Sequence, residues 1–216
     1  MKSNLIISGG IYHPFEVTSK LLSDILNNFG LNSQIMPVGR GLEELAEKEF
    51  DLLTVNALAF TMLQHPKYDS LRDEFGFKTD QKAIKAIKSH LKNGGRLLGI
   101  HTAAICFDDW PEWEEILGVK WVWGKSWHPE PCMVQVKGSE DFETFDELYC
   151  DLNVSDKAEV IATGSTNDRV VSEPILVIND NAAYLALGHD AKAFETVGFV
   201  SLLEKAVSKL SLHNLV

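Results

Sequence analysis

Residues 99–103, Gly-Ile-His-Thr-Ala, put one imidazole where a glycine-bounded apolar run, Arg96 to Ile100, gives way to small side chains. Small residues two before and two after an exposed one are the spacing of a nucleophile elbow, a tight strand-to-helix turn that tolerates little bulk at those positions. Here the exposed residue is His101. Imidazole serves as base, acid, metal ligand or hydrogen-bond donor, but it is an unusual end-point nucleophile for hydrolysis. The spacing therefore points to acid–base, metal or binding chemistry at His101, beside the plainer reading of a satisfied, half-buried histidine.

Three further histidines flank strand-like segments: His13, His128, and His189 after the run Tyr184 to Leu187. Neutral imidazoles converging with a carboxylate such as Glu147 or Asp190 suit Zn²⁺ or a similar divalent ion, with three protein ligands and one position left for water. On this reading His101, His128 and His189 are the candidate metal ligands, although no local motif ties them together. A metal-free pocket, in which His101 and His189 act as acid and base or bind sugar hydroxyls, accounts for the same residues. Cys106, five residues past the turn, reads as a small buried hydrophobe rather than a nucleophile. His65, His90 and His213 have no supporting pattern and read as surface residues. Asp108-Asp109 reads as the cap of a helix starting near Pro111.

All five tryptophans, Trp110, Trp113, Trp121, Trp123 and Trp127, fall within eighteen residues. Spacing such as that of Trp110 and Trp113 packs a short amphipathic helix, while aromatic faces in sugar sites stack on the C–H face of a pyranose. The expectation is core packing for most of the cluster, with one or two at the pocket wall, Trp127 among them.

The elements that must position these groups follow from periodicity. Leu5 to Ile7 predicts a strand, Ser8-Gly9-Gly10 a turn, and Leu21, Leu22, Ile25, Leu26 and Phe29 the face of a helix stopped at Gly30. Gln34 to Val38 and Asp51 to Val55 predict two more strands, with a short acidic helix, Leu42 to Phe50, between them. Asp80 is placed to cap a helix whose apolar face is Ala83, Ile84, Ile87 and Leu91 and whose lysines 82, 85, 88 and 92 form a solvated face. Strands alternating with helices imply a parallel sheet covered on both faces. In the second half, Trp121 to Trp123, Cys132 to Val136, Glu159 to Ala162, Ile175 to Ile178 and Ala183 to Leu187 are strand-like with few helical signals between them. Added antiparallel strands are expected there, then a closing helix from about Phe194 to Leu210. Residues 58–79 are a long irregular stretch that reads equally as a lid or a surface excursion. Ligands of such open sheets sit beyond the carboxyl ends of the strands, where His101 lies. Gly9-Gly10 lacks the third glycine of a dinucleotide fold and the lysine of a phosphate loop, so it is read as a turn that brings backbone amides near a ligand at His13 or that only fits the helix against the sheet.

Composition bounds the classes. The 216 residues are 45% hydrophobic and 24% charged, which fits one globular domain spanning 1–216 and excludes disorder or a coiled-coil rod. A net charge of −11 argues against a nucleic-acid partner, whose phosphates are bound by lysine and arginine, and favours an uncharged or cationic ligand. Three cysteines without a C-x-x-C pair suggest neither a disulfide framework nor a cysteine zinc site, and no apolar run approaches the ~18 residues of a membrane span. The expectation is a cytoplasmic protein with no membrane partner.

The string GGRLLGIHTAA at 94–104, preceded by SGG-x-x-HPF at 8–15 and followed by ILG at 116–118, the Trp-rich stretch with His128, Asp146-Glu147-Leu148-Tyr149 and LALGHD at 185–190, resembles the ThuA-like (trehalose utilisation) proteins. The order and spacing carry the resemblance over most of the chain. It implies a flavodoxin-like, doubly wound, mostly parallel α/β sheet similar to the class I glutamine amidotransferases, and a role in carbohydrate metabolism. His101 stands where those amidotransferases keep a cysteine, so the resemblance implies no glutaminase activity. It further implies that Glu147 and Tyr149 point into the site, where Glu147 orients a histidine or accepts sugar hydroxyls; an ordinary helix turn anchored by Leu148 is the competing reading. His101, His189 and Glu147 are thus the expected catalytic residues, and His13, Gly9, Gly10, Trp127, Tyr149 and Asp190 the expected substrate contacts, for a small sugar-like ligand. The alternatives are an amidotransferase-type hydrolase using Cys106 and a non-catalytic sugar-binding or homo-oligomeric protein.

Overall fold

The computed structural model describes residues 1–167 and 169–212, apart from the side chains of 169 and 170; His213 lies outside the described residues. In chain order the first half holds β1 (Lys2–Gly9), α1 (Phe15–Asn28), β2 (Leu31–Pro37), α2 (Val38–Glu47), β3 (Leu52–Ala57), α3 (Arg72–Phe75), α4 (Gln81–Lys92) and β4 (Arg96–Ile100). A 3₁₀ turn, His101–Ala104, follows, then α5 (Glu112–Leu117) and β5 (Val119–Lys120). The rest is β6 (Cys132–Lys137), β7 (Phe142–Asp146), β8 (Asn153–Val154), β9 (Glu159–Thr166), β10 (Arg169–Asn179), β11 (Ala182–Leu185), α6 (Ala191–Phe194) and α7 (Val197–Lys209).

Nine strands form one sheet in the order β2-β1-β3-β4-β11-β10-β9-β6-β7. The first five are parallel, in the flavodoxin-like 2-1-3-4-5 pattern with β11 as the fifth. The remaining four run antiparallel to their neighbours. Strands β3 and β11 are buried at every residue, as expected where helices cover both faces of a parallel sheet. The run Ala183 to Leu187, grouped by pattern with the antiparallel additions, therefore belongs to the parallel core. Trp121 to Trp123 is not a strand; only Val119–Lys120 pairs, with β8. The β7 segment, FETFD, has one buried face and was not legible as a strand beside the charged residues around it.

Helix α4 begins as its sequence dictates: the Asp80 carboxylate accepts from Ala83 N–H at 2.7 Å, Ala83, Ala86 and Ile87 are buried, and the lysines face solvent. Helix α2 starts four residues ahead of the expected span, directly after Pro37. His90, expected at the surface, is buried at the end of α4, with its Nε2 2.9 Å from the carbonyl oxygen of Arg96. His65 is exposed.

Residues 58–79 are pinned to the body of the fold. Leu58, Phe60, Met62 and Tyr68 form a small apolar cluster with Phe15. The Asp108 carboxylate accepts from the backbone N–H and the hydroxyl of Thr61, both at 2.7 Å, and Asp109 accepts from Thr79 N–H at 3.1 Å. The aspartate pair thus anchors this excursion instead of capping α5, whose N-terminus has no side-chain cap.

Candidate functional site

His101 follows the last residue of β4 with φ at +44°, a left-handed conformation that non-glycine residues seldom adopt and that marks constrained functional turns. A Cβ on Gly99 would lie 2.7 Å from Leu117 Cδ1 and 3.0 Å from Ala103 Cβ, so the small residues on either side of His101 are a packing requirement of the turn. The ring is fixed from its far side: Nδ1 lies 2.7 Å from the carbonyl oxygen of Ala186, while the Tyr184 hydroxyl donates to the His101 carbonyl at 2.8 Å. A carbonyl can only accept, so Nδ1 carries a proton, and in the neutral ring Nε2 presents a lone pair.

That lone pair faces Glu147. The carboxylate stands at the centre of a histidine cluster, with Oε2 3.4 Å from His101 Nε2 and Oε1 3.4 Å from His128 Nδ1 and 3.3 Å from His189 Nε2. Burial pushes Glu147 up, but the three imidazoles outweigh it and hold the carboxyl below the usual range, so it is ionised at neutral pH. Burial lowers His189 against the opposing pull of Glu147. His13 packs its ring 5.3 Å from that of His101 and 4.7 Å from that of His189, and burial, reinforced by His101, lowers it to about 3. Its Nδ1 donates to the Ile11 carbonyl at 3.2 Å, which leaves Nε2 as an acceptor. Gly9 and Gly10, at φ +127° and +128°, set the turn that delivers His13; a Cβ at Gly10 would lie 2.7 Å from Leu58 O.

Asp146, part of the Asp146–Tyr149 run but given no role of its own by the sequence, is the clamp. Its Oδ2 accepts from Gly188 N–H at 2.7 Å, and its Oδ1 accepts from the N–H groups of Glu147 at 2.8 Å and His189 at 3.1 Å. Burial raises this carboxyl, opposed by His101 and by those three N–H donors. One buried aspartate thus fixes both the carboxylate and the last imidazole of the cluster.

The cluster floors a cleft of about 450 Å³ walled by Tyr12, Leu58, Phe60, Tyr68, Trp121 and Trp123, with Lys67 at its rim. The rings of Phe60 and Trp123 stack at 5.7 Å and 17°. Of the expected site residues, His13, His128, Glu147, Tyr149 and His189 line this cleft, and His101 lies beneath, in contact with Tyr149 at 4.1 Å between rings. Trp127 does not line it: its indole donates to Asp151 at 2.8 Å and its side chain is largely at the surface. Asp190 does not either, since its carboxylate caps α6 by accepting from Lys192 N–H at 2.8 Å. Trp110 and Trp113 are core residues. The aromatic wall comes from Trp121 and Trp123 of the same cluster, and from Phe60 and Tyr68, whose only sequence signal is the irregularity of 58–79. His128 is partly exposed, and its Nδ1 also approaches the Pro129 carbonyl at 3.0 Å. Among the described residues the ligand atoms that gather within 4.8 Å of one another belong to His13, His101 and Glu147, which differs from the expected set of His101, His128 and His189.

Cys106 is buried beside the turn, its thiol donating to Ala57 O at 3.1 Å, and burial pushes it up to about 12. It stays protonated at neutral pH. A larger groove, about 650 Å³, lies at the opposite end of the sheet, around Ser3, Asp51 and Gly95, and contains none of the clustered histidines. Among the described residues no helix is long and apolar enough to cross a membrane.

The family model described as trehalose utilisation (ThuA) matches residues 34–208. A putative ThuA-like protein from Parabacteroides merdae superposes with a TM-score of 0.70 at 18% identity, covering 100% of this chain and 92% of that one. One from Bacteroides uniformis gives 0.64 at 19% identity, over 97% and 91%. A cytoplasmic protein from Salmonella typhimurium gives 0.60 at 16% identity, over 99% of both chains. No match was found among curated proteins.

Proposed function

Since this chain belongs to the trehalose-utilisation (ThuA) family, we propose that it performs acid–base chemistry on a small polyhydroxylated molecule of the carbohydrate class, held in the cleft above Glu147. The observation that carries this reading is the Glu147 carboxylate, contacted by three imidazoles at the floor of an aromatic-walled cleft. An ionised Glu147 sharing Oε1 with His189, a largely neutral imidazole at physiological pH, is a pair equipped to take a proton from a bound hydroxyl or from a carbon beside a carbonyl. His101, whose ring is locked by Ala186, flanks the carboxylate from the other side, 3.4 Å from Oε2. Trp123 and Tyr68 offer faces for the C–H surface of a sugar ring, and the polar floor meets its hydroxyls.

The reading includes the absence of glutaminase activity. The elbow holds an imidazole where acyl transfer from glutamine requires a thiolate, and the nearest thiol, Cys106, is buried and protonated. The net charge of −11 favours a neutral ligand over a phosphorylated one.

Isothermal titration with trehalose and glucose, on the wild type and on Glu147→Gln and His189→Gln, tests the proposal. Sugar binding that both variants weaken at least tenfold supports it. Absence of binding, or binding indifferent to both substitutions, refutes it.

A further inference from the structure

We propose that His13, His101 and Glu147 form a binding site for one divalent transition-metal cation of the Zn²⁺ type, which deepens the acid–base reading of the same cleft and rests on its location.

The first argument is the orientation of lone pairs. His101 and His13 each commit Nδ1–H to a backbone carbonyl, of Ala186 and Ile11 respectively, and each thereby turns its Nε2, a lone pair in the neutral ring, inward. Both Nε2 atoms are buried and have no hydrogen-bond partner. His101 is 1% exposed, and its Nε2 lies 3.4 Å from a carboxylate oxygen. Buried acceptors aimed at one another without a donor between them are costly, and a cation is the species that satisfies them all at once. Imidazoles held by a backbone carbonyl at the other nitrogen are the usual state of histidine ligands, because that bond fixes both tautomer and ring orientation.

The second argument is metric. Three atoms no more than 4.8 Å apart have a common point within about 2.8 Å of each, so sub-ångström inward rotations reach the ~2.0–2.2 Å of zinc bonds to nitrogen and oxygen. Two imidazoles and one carboxylate suit zinc or a neighbouring transition ion over Mg²⁺ or Ca²⁺, which prefer all-oxygen shells. Three protein ligands leave coordination free for water or a substrate hydroxyl, the arrangement of catalytic sites.

Glu147 divides its two oxygens accordingly. Oε2 faces His101 and the cation site, while Oε1 keeps its contacts with His189 and His128. His128 therefore lies outside the ligand set, and His189 stays available as the proton acceptor of the cleft.

The test is elemental analysis and titration of ZnCl₂ into chelator-treated protein, with MgCl₂ as the control. One Zn²⁺ per chain is expected for the wild type and for His65→Ala, at an exposed histidine outside the cleft, with at least a hundredfold weaker binding in His13→Gln and in Glu147→Gln. These positions avoid the strained His101 turn, and far-ultraviolet circular dichroism confirms that the variants fold. No zinc in the wild type, or unchanged zinc in folded His13→Gln, overturns the site and leaves a plain imidazole–carboxylate cluster. Mg²⁺ binding as tight as Zn²⁺ binding overturns the proposed class of ion. Sugar titration is read separately: sugar binding without zinc sinks only the cation site, and zinc binding without sugar sinks only the substrate assignment.

Discussion

The Nδ1 of His101 lies 2.7 Å from the carbonyl oxygen of Ala186, which ties the turn after β4 to the chain leaving β11, its parallel neighbour in the sheet. The bond dictates a tautomer. In long-range ¹H–¹⁵N spectra at pH 8, the His101 ring of the metal-free protein is expected to be protonated at Nδ1 and not at Nε2. An Nε2–H tautomer would mean that the ring is held differently and that its lone pair does not face Glu147.

Gly99→Ala forces a methyl to within 2.7 Å of Leu117 Cδ1 and 3.0 Å of Ala103 Cβ, in a turn whose neighbours are all buried. Overpacking of this kind costs about 1–3 kcal/mol. Urea unfolding should show a lower midpoint with an unchanged slope; an unaltered midpoint would show that the turn has slack.

Asp146→Asn keeps the volume but offers one acceptor oxygen where the aspartate uses both, toward Gly188 on one side and toward Glu147 and His189 on the other. Whichever way the amide points, at least one buried N–H meets an NH₂ group, at a cost of about 1–3 kcal/mol. Because the same bonds position Glu147 and His189, zinc and sugar affinities should fall together. A variant with wild-type stability and both affinities intact would remove the clamp.

Cys106, pushed up to about 12, carries on the order of one thiolate per ten thousand molecules at pH 8. Iodoacetamide should leave it unmodified in the folded protein and label it after denaturation, as peptide mass spectrometry would report. Rapid labelling that glutamine prevents would revive the amidotransferase alternative.

His90 is lowered by burial, against its bond to the Arg96 carbonyl and the pull of Asp51. The unfolded chain then takes up a proton near pH 6.5 before the folded protein does, so the stability from this residue is full above that pH. It is lost as the pH falls toward the lower folded value. The melting temperature of the wild type should drop more between pH 7.5 and pH 5 than that of His90→Gln. Parallel curves would show that His90 does not titrate on unfolding.

Much of the parallel half was legible because its signals are local: alternating strand and helix periods, the Asp80 cap, and small residues flanking His101. The candidate site was legible at His13, His101, His128, Glu147 and His189, through turn spacing and family resemblance together. What escaped depends on contacts between distant segments. Asp146 looks like any acidic residue until Gly188 and His189 arrive. Asp108 and Asp109 had the composition of a helix cap, yet Thr61 and Thr79 supply their donors. Trp127 and Asp190 sat near the right residues in sequence, but Asp151 and Lys192 occupy their polar atoms. His90 is buried where a surface position is expected because nothing local reveals that its ring lies over Gly95.

The four antiparallel strands end at β7, four places from β11, or roughly 19 Å across a flat sheet at ~4.8 Å per strand. Yet the residue closing β7 hydrogen-bonds the loop just after β11, and β7 packs on α6 and α7, so the extension curls back over the sheet's end. The imidazoles at 13 and 101 belong to the parallel half, and the carboxylate arrives only with the curl. The pocket's closing contacts join segments far apart in sequence, the kind that form slowly, so it is expected to assemble late in refolding. Zinc uptake, followed in time during refolding, would mark the moment at which the two halves of the sheet meet.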